Sequence, residues 1–134
     1  MNDVLEALRQ RLESNAFAVY NHMEIESAER DRVVYRLDIV PESKNPSGFV
    51  HGGAFCAMAD NAAGAAAHTD GRRFVTQAST MNYIANQTEG TIYATGTVLH
   101  RGRATCVARA EITNAEGKLL CTGDFTFFCL DSRT

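Results

Sequence analysis

No apolar run in the 134-residue chain approaches the ~20 residues that a helix needs to span a bilayer. The opening stretch, MNDVLEALRQRLESN, is charged and amphipathic. It lacks the continuous apolar segment of a secretory leader, so a cytoplasmic protein is expected. Basic charge is not in excess either: 13 Lys and Arg against 16 Asp and Glu leave a net charge of −3. A weakly acidic chain is a poor general binder of nucleic acid, because neutralising phosphates takes a basic surface. If it binds an anionic ligand, it must do so through a local basic patch. Cysteine is sparse. Cys56, Cys106, Cys121 and Cys129 form no CxxC pair, and the histidines are not spaced like zinc ligands. No metal and no cofactor is expected, and the thiols read as buried groups in a reducing compartment. Proline is scarcer still, and both residues, Pro41 and Pro46, fall in PESKNPSG, which reads as a loop closed by Gly48.

What is present is an ordinary globular mix, 45% hydrophobic and 22% charged, at the length of a single domain spanning 1–134. Val4, Leu5, Leu8 and Leu12 recur at helical spacing and predict a short amphipathic helix over 3–13, within an N-terminal helical segment 1–15. Residues 16–26 are mixed and lead toward a first strand. In 31–40, Val33, Tyr35, Leu37 and Ile39 alternate with Val34, Arg36, Asp38 and Val40, as in a strand. The alanine-rich HGGAFCAMADNAAGAAAHTDG predicts one long helix ending at Asp70-Gly71. Strands are expected over 73–84, 91–101, 104–113 and 118–130, with a bend at Arg101-Gly102-Arg103 and a hairpin turn at Asn114–Gly117. In the last strand, Leu119, Cys121, Gly123, Phe125, Phe127 and Cys129 share a face, and Phe125, Phe127 and Phe128 read as core. The fold class is α+β, with an antiparallel sheet around one apolar helix.

His51-Gly52-Gly53 opens that helix. The first N–H groups of a helix have no internal acceptor and favour negative charge, and two glycines allow a ligand atom close to the backbone. This is the chemistry of an oxyanion hole, as well as of a plain tight turn. Asp60 lies among Ala57, Ala59, Ala62, Ala63 and Gly64. A carboxylate on such a small-residue face implies a close-packed neighbour, and it can act as nucleophile or general base. Eight residues separate Gly52 from Asp60, ~12 Å along a helix axis. An attacking atom must come within ~3 Å of the reacting carbon. One helix therefore cannot bring both to the same carbonyl, whereas two antiparallel helices from two subunits can. If the two residues share a site, the protein is at least a homodimer.

The string Asn45-Pro46-Ser47-Gly48-Phe49-Val50-His51-Gly52-Gly53, followed by Asp60-Asn61, resembles the signature of hotdog-fold acyl-CoA thioesterases of the PaaI and THEM-like type. Thr76–Ile84 is similar to that family's strand after the helix. The resemblance implies a curved sheet wrapped around one long helix, over about residues 17–130. It also implies hydrolysis of an acyl- or aryl-CoA thioester. Asp60 would be nucleophile or base, Gly52 the oxyanion donor, and His51 would polarise the thioester. Asn45 would orient water or carbonyl, and Thr76 would hold the attacking water. Gly53 and Asn61 are expected to meet the substrate, and Arg101, Gly102 and Arg103 the nucleotide end of CoA. Arg72-Arg73 is a second basic candidate. Asn86 departs from the family, where proline is common. His22, His68 and His100 read as surface or packing residues. Similar proteins are often tetramers of paired dimers, so a homotetramer is expected. The alternatives are an acyl-thioester dehydratase or hydratase, and a non-catalytic acyl-CoA-binding protein.

Overall fold

The computed structural model describes residues 2–131. Two helices come first, α1 (Asn2–Glu13) and α2 (Ala16–Tyr20), then strands β1 (Met23–Glu29) and β2 (Arg32–Asp38). A 3-10 turn at Pro41–Ser43 precedes the long helix α3 (Gly52–His68). Strands β3 (Phe74–Tyr83), β4 (Thr91–Arg101), β5 (Thr105–Asn114) and β6 (Leu119–Cys129) follow. Among these elements, α2 was not foreseen. The run from Ala16 begins as helix because the Asn15 side chain accepts from the Ala18 N–H at 3.1 Å and caps it. The chain then turns at His22, whose φ is 65°, and only there enters β1.

The strands form one antiparallel sheet in the order β1-β2-β4-β5-β6-β3. Helix α3 touches all six of them, so the sheet wraps the helix as in the hotdog fold. Small residues make this possible. Ala59, Ala62, Ala63, Ala66 and Ala67 are buried, and a Cβ on Gly96 of β4 would collide with the Ala62 carbonyl. Larger core side chains, Phe55, Met58, Leu37, Ile92 and Ile112 among them, fill the space on either side.

The last strand differs from its sequence reading at two residues. Leu119 is partly exposed and Leu120 takes its place in the core. The register passes from Ile112↔Cys121 to Thr113↔Leu119, so Leu120 is the extra residue of a bulge and the alternation inverts there. Phe128 faces away from Phe125 and Phe127 and is 42% exposed. Among the described residues, no helix is long and apolar enough to cross a membrane, and no group of three or more metal-ligating side chains gathers.

Candidate active site

The loop leading into α3 is fastened at several points. The Asn45 side-chain oxygen accepts from the Ser47 and Phe49 N–H groups, at 2.9 and 3.1 Å, and so shapes the loop. Asn86, the departure from the family pattern, donates to the Val50 carbonyl and accepts from the Val50 N–H. A proline there would offer neither bond. The His51 N–H donates to the Ser43 carbonyl at 2.8 Å.

At the helix start, the donors can be accounted for one by one. The His51 ring accepts the Gly53 N–H on Nδ1 at 2.8 Å, which makes His51 the N-cap. A neutral His51 then carries its proton on Nε2. The His51 carbonyl accepts from Ala54 and Phe55. Among the described residues, the Gly52 N–H alone in this turn has no acceptor. The donor is exposed, and the Tyr83 ring lies 3.8 Å from where a Cβ on Gly52 would sit. Gly53 therefore does not present its N–H to a ligand, since His51 occupies it.

Asp60 sits half-buried on α3. Its Oδ1 accepts from the Thr76 hydroxyl at 2.7 Å, and no described residue bonds its Oδ2. The register of β3 skips between Thr76 and Ala78, and a bulge of this kind re-aims side chains beside it. Because α3 runs unbroken from Gly52 to His68, Gly52 and Asp60 of one protomer stay ~12 Å apart along the axis. Asn61, the next residue, turns inward. Its amide donates to the Ala57 carbonyl, and its oxygen accepts from Asn15, which ties α3 to the α1–α2 junction.

Asp60 and Thr76 open onto a cavity of about 480 Å³ between α1 and α3. It runs along the α3 face carrying Asp60, Gly64 and His68 and is also lined by Leu8, Arg11 and Leu12 of α1 and by Tyr35 of β2. The α1 and β2 contributions have no local signal in the sequence, since they depend on where α1, packed against β1, comes to lie. His68 lines this cavity as a neutral fixture. Its Nδ1 bonds the Gly64 carbonyl at 2.7 Å and its Nε2 accepts from the Phe74 N–H at 3.1 Å. Burial holds the imidazole below its usual 6.5, against the pull of the Gly64 bond. A second ring proton would face the Phe74 N–H. The stability contributed by neutral His68 is complete above the unfolded value and is lost as pH falls from there through the folded one. The thermal midpoint is expected to fall between about pH 7.5 and pH 5.5, with a shallower slope in His68→Gln. An unchanged slope in that variant would assign the effect to another group.

The basic residues fall differently from the expectation. Arg101 is not open to phosphate: its guanidinium pairs with Asp70 at 2.6 Å and Asp31 at 2.7 Å and donates to the Ala66 and Ala67 carbonyls. It closes the C-terminal end of α3, where unpaired carbonyls and the helix dipole favour a cation. The Gly102 carbonyl accepts from Arg72, and its N–H donates to Thr105. Arg72 is bound to Asp70 and Arg73 to Asp131. Only Arg103 of the bend is exposed with no side-chain partner among the described residues.

Residues 47–121 match the sequence model of the thioesterase superfamily. A 1,4-dihydroxy-2-naphthoyl-CoA hydrolase of Listeria monocytogenes serotype 1/2a (strain 10403S) is 32% identical over 102 residues, 74% of this chain and 83% of that protein. A hypothetical thioesterase of Streptococcus pneumoniae TIGR4, solved with coenzyme A, superposes with a TM-score of 0.79 at 32% identity. The match covers 86% of this chain and 94% of that one. The E. coli PaaI protein from the phenylacetic acid degradation operon shares the fold at 23% identity and a TM-score of 0.91, over 96% and 94% of the two chains.

Proposed function

We propose, from the premise that this chain belongs to the thioesterase superfamily, a site in which the free Gly52 N–H and the open Asp60 carboxylate act on one thioester. The enzyme hydrolyses the thioester of an acyl-CoA to the free acid and CoA. The observation that carries the site assignment is the Gly52 N–H, left without an acceptor while its neighbours in the turn are satisfied. A donor so placed meets the charge that develops on an attacked carbonyl oxygen. In this reading His51 Nε2–H polarises the thioester, and Asp60 supplies the nucleophile or activates water. Thr76 holds the carboxylate, and Asn45 shapes the loop that orients the carbonyl. The relative from S. pneumoniae supports the pairing of Asp60 with Thr76. Structures of that protein with an aspartate or, sixteen residues later, a threonine replaced by alanine also match, and Asp60 and Thr76 are sixteen residues apart here.

Because one protomer keeps Gly52 and Asp60 apart, the reading requires two subunits, each giving one residue to each of two sites. The edge strand β3 supports this. Of its ten residues only Phe74 is buried, and one of its edges has no partner strand within the protomer. A long, bare edge invites another chain. A homotetramer of paired dimers extends the same scheme. Arg103 is the residue proposed to meet the CoA phosphates, and a local cation suits that role in a chain of net charge −3. A cytoplasmic setting fits the thiols, since burial pushes Cys121 up to about 11 and raises Cys106 as well, leaving them inert. The test is thiol release from a panel of aliphatic and aromatic acyl-CoA esters, run beside sedimentation. Turnover by an assembly of two or more subunits is expected. Binding without release from any ester would overturn hydrolysis, and full activity in a monomer would overturn the shared site.

A further inference from the structure

We infer that Asn86 is a positioning residue for thioester hydrolysis: its side chain fixes the peptide that aims the Gly52 N–H at the attacked carbonyl oxygen. This goes one step beyond the reading of Gly52 as the oxyanion donor, and it rests on that reading. A free N–H stabilises the developing charge only if its direction is set before the substrate arrives. The two planar peptides on either side of His51 set that direction. The His51–Gly52 peptide carries the N–H itself, and its carbonyl is held by the Ala54 and Phe55 N–H groups of α3. The Val50–His51 peptide precedes the helix and needs its own anchors. Its N–H, that of His51, donates to the Ser43 carbonyl at 2.8 Å, and its carbonyl, that of Val50, accepts from the Asn86 amide at 3.0 Å.

The Asn86 bond has no substitute among the described residues. Val50 is fully buried and forms an antiparallel bridge with Lys44. The hydrogen bonds of that bridge run between His51 and Ser43 and between Asn45 and Phe49, which leaves the Val50 N–H and carbonyl for other partners. The N–H is shared by the Gln87 carbonyl and Asn86 Oδ1, both at 3.2 Å. The carbonyl has Asn86 Nδ2 alone. The clamp is itself held. Asn86 Oδ1 also accepts from the Gln87 N–H at 2.7 Å, which fixes the plane of the amide. The surrounding segment is anchored on both sides: the Ile84 and Ala85 N–H groups donate to the Leu120 carbonyl at the β6 bulge, and Gln87 Oε1 accepts from Asn114 of β5. At the start of the same stretch, the Tyr83 ring lies beside Gly52 and a side-chain hydrogen bond joins Tyr83 to Cys56, one turn further along α3. Residues 83–87 thus fix the backbone ahead of the donor and wall its side.

Asn86→Pro tests this. Proline removes both side-chain bonds and costs no backbone one, since the Asn86 N–H has no acceptor among the described residues. Asn86→Ala removes the same bonds without restricting Ala85, and it stands in if circular dichroism shows the proline variant unfolded. With an acyl-CoA that the wild-type enzyme hydrolyses, kcat should fall roughly 10- to 100-fold in either variant, with KM within about twofold, because a misplaced donor weakens binding to the transition state alone. A second readout separates aim from general loosening. It is the ratio of kcat for that ester to kcat for its dithioester, in which sulfur, a weaker acceptor, replaces the carbonyl oxygen. A donor out of line lowers this ratio by about tenfold, whereas loosening slows both esters alike. A loss of kcat with an unchanged ratio, or kcat within about threefold of wild type, overturns the role of Asn86. Failure of both variants to fold also overturns it, since the bonds are then needed for the fold itself. Gly52→Pro distinguishes the two readings. If that variant keeps its activity, the oxyanion role of Gly52 fails and this inference fails with it. If it is inactive while the Asn86 variants behave as wild type, this inference fails alone.

Discussion

Replacing Asp60 with asparagine is expected to lower kcat for acyl-CoA hydrolysis by about a thousandfold, with the protein still folded. The loss corresponds to about 4 kcal/mol of barrier. Asparagine keeps the shape of the side chain and an oxygen that can accept from Thr76, whose hydroxyl lies 2.7 Å from Asp60 Oδ1. It cannot take a proton or form an anhydride with the acyl group. Asp60 is half-buried in the protomer and makes no ion pair among the described residues, so stability should shift by no more than about 0.5 kcal/mol. The measurement is steady-state thiol release, with urea unfolding as the control for fold. A loss under about tenfold would take Asp60 out of the reaction. Because the two sites are read as sharing subunits, a second result is tied to the first. Mixing inactive Asp60→Asn with a variant blocked at Gly52, such as Gly52→Pro, which lacks the N–H, should restore up to about a quarter of wild-type activity through hybrid dimers. No recovery on subunit exchange would argue that each site is built within one chain.

The residues of the proposed site were singled out by local chemistry alone. The glycine pair after His51 marks a helix start whose backbone is approachable. An aspartate surrounded by alanine and glycine marks a charge that has no local use. Both depend only on neighbours in sequence. The long helix and the succession of strands along the chain were legible for the same reason, since alanine content and alternation are short-range signals, whereas the order of the strands in the sheet was not. What sequence could not report is which donors the fold leaves free. Gly53 looks equivalent to Gly52 in the string, and only the His51 ring, folded back onto the Gly53 N–H, separates them. Asn61 looks like part of the motif but faces Asn15, forty-six residues away. Leu120 occupies the core in place of Leu119 because a bulge interrupts β6, and nothing in the alternation of the strand announces a bulge.

Arg101 is the clearest case of a residue whose function changes with the fold, and its replacement should have the largest effect on stability. Arg101→Met is expected to destabilise the protein by about 3 kcal/mol, at the lower end of what breaking a buried pair costs. Methionine preserves most of the aliphatic length and removes the charge. Asp70, whose side chain is 8% exposed, would then keep only Arg72. The Asp31 half of the interaction contributes little, since that carboxylate is 43% exposed and screened by solvent. Of the two carbonyls it reaches at the end of α3, Ala67 would lose its Arg101 donor, while Ala66 would keep the Thr69 N–H and hydroxyl. A loss of this size is a large share of the roughly 5–15 kcal/mol that holds a domain together. The acid limb of the stability curve carries the signature. Burial pushes the Asp70 carboxyl up, but the bonds from Arg72 and the charges of Arg101 and Arg72 outweigh it and hold the group below its ordinary 3.8. A depressed carboxyl contributes stability above the unfolded value, and that contribution is lost as pH falls through the folded one. Without Arg101 the depression shrinks or reverses, so acid unfolding of the variant should begin at higher pH than in the wild type. At a temperature where the variant stays folded, kcat should remain within a few-fold, because the Arg101 cluster lies at the opposite end of α3 from Gly52. A variant as stable as wild type, or one that kept its stability while binding CoA tenfold more weakly, would return Arg101 to the role of a phosphate ligand.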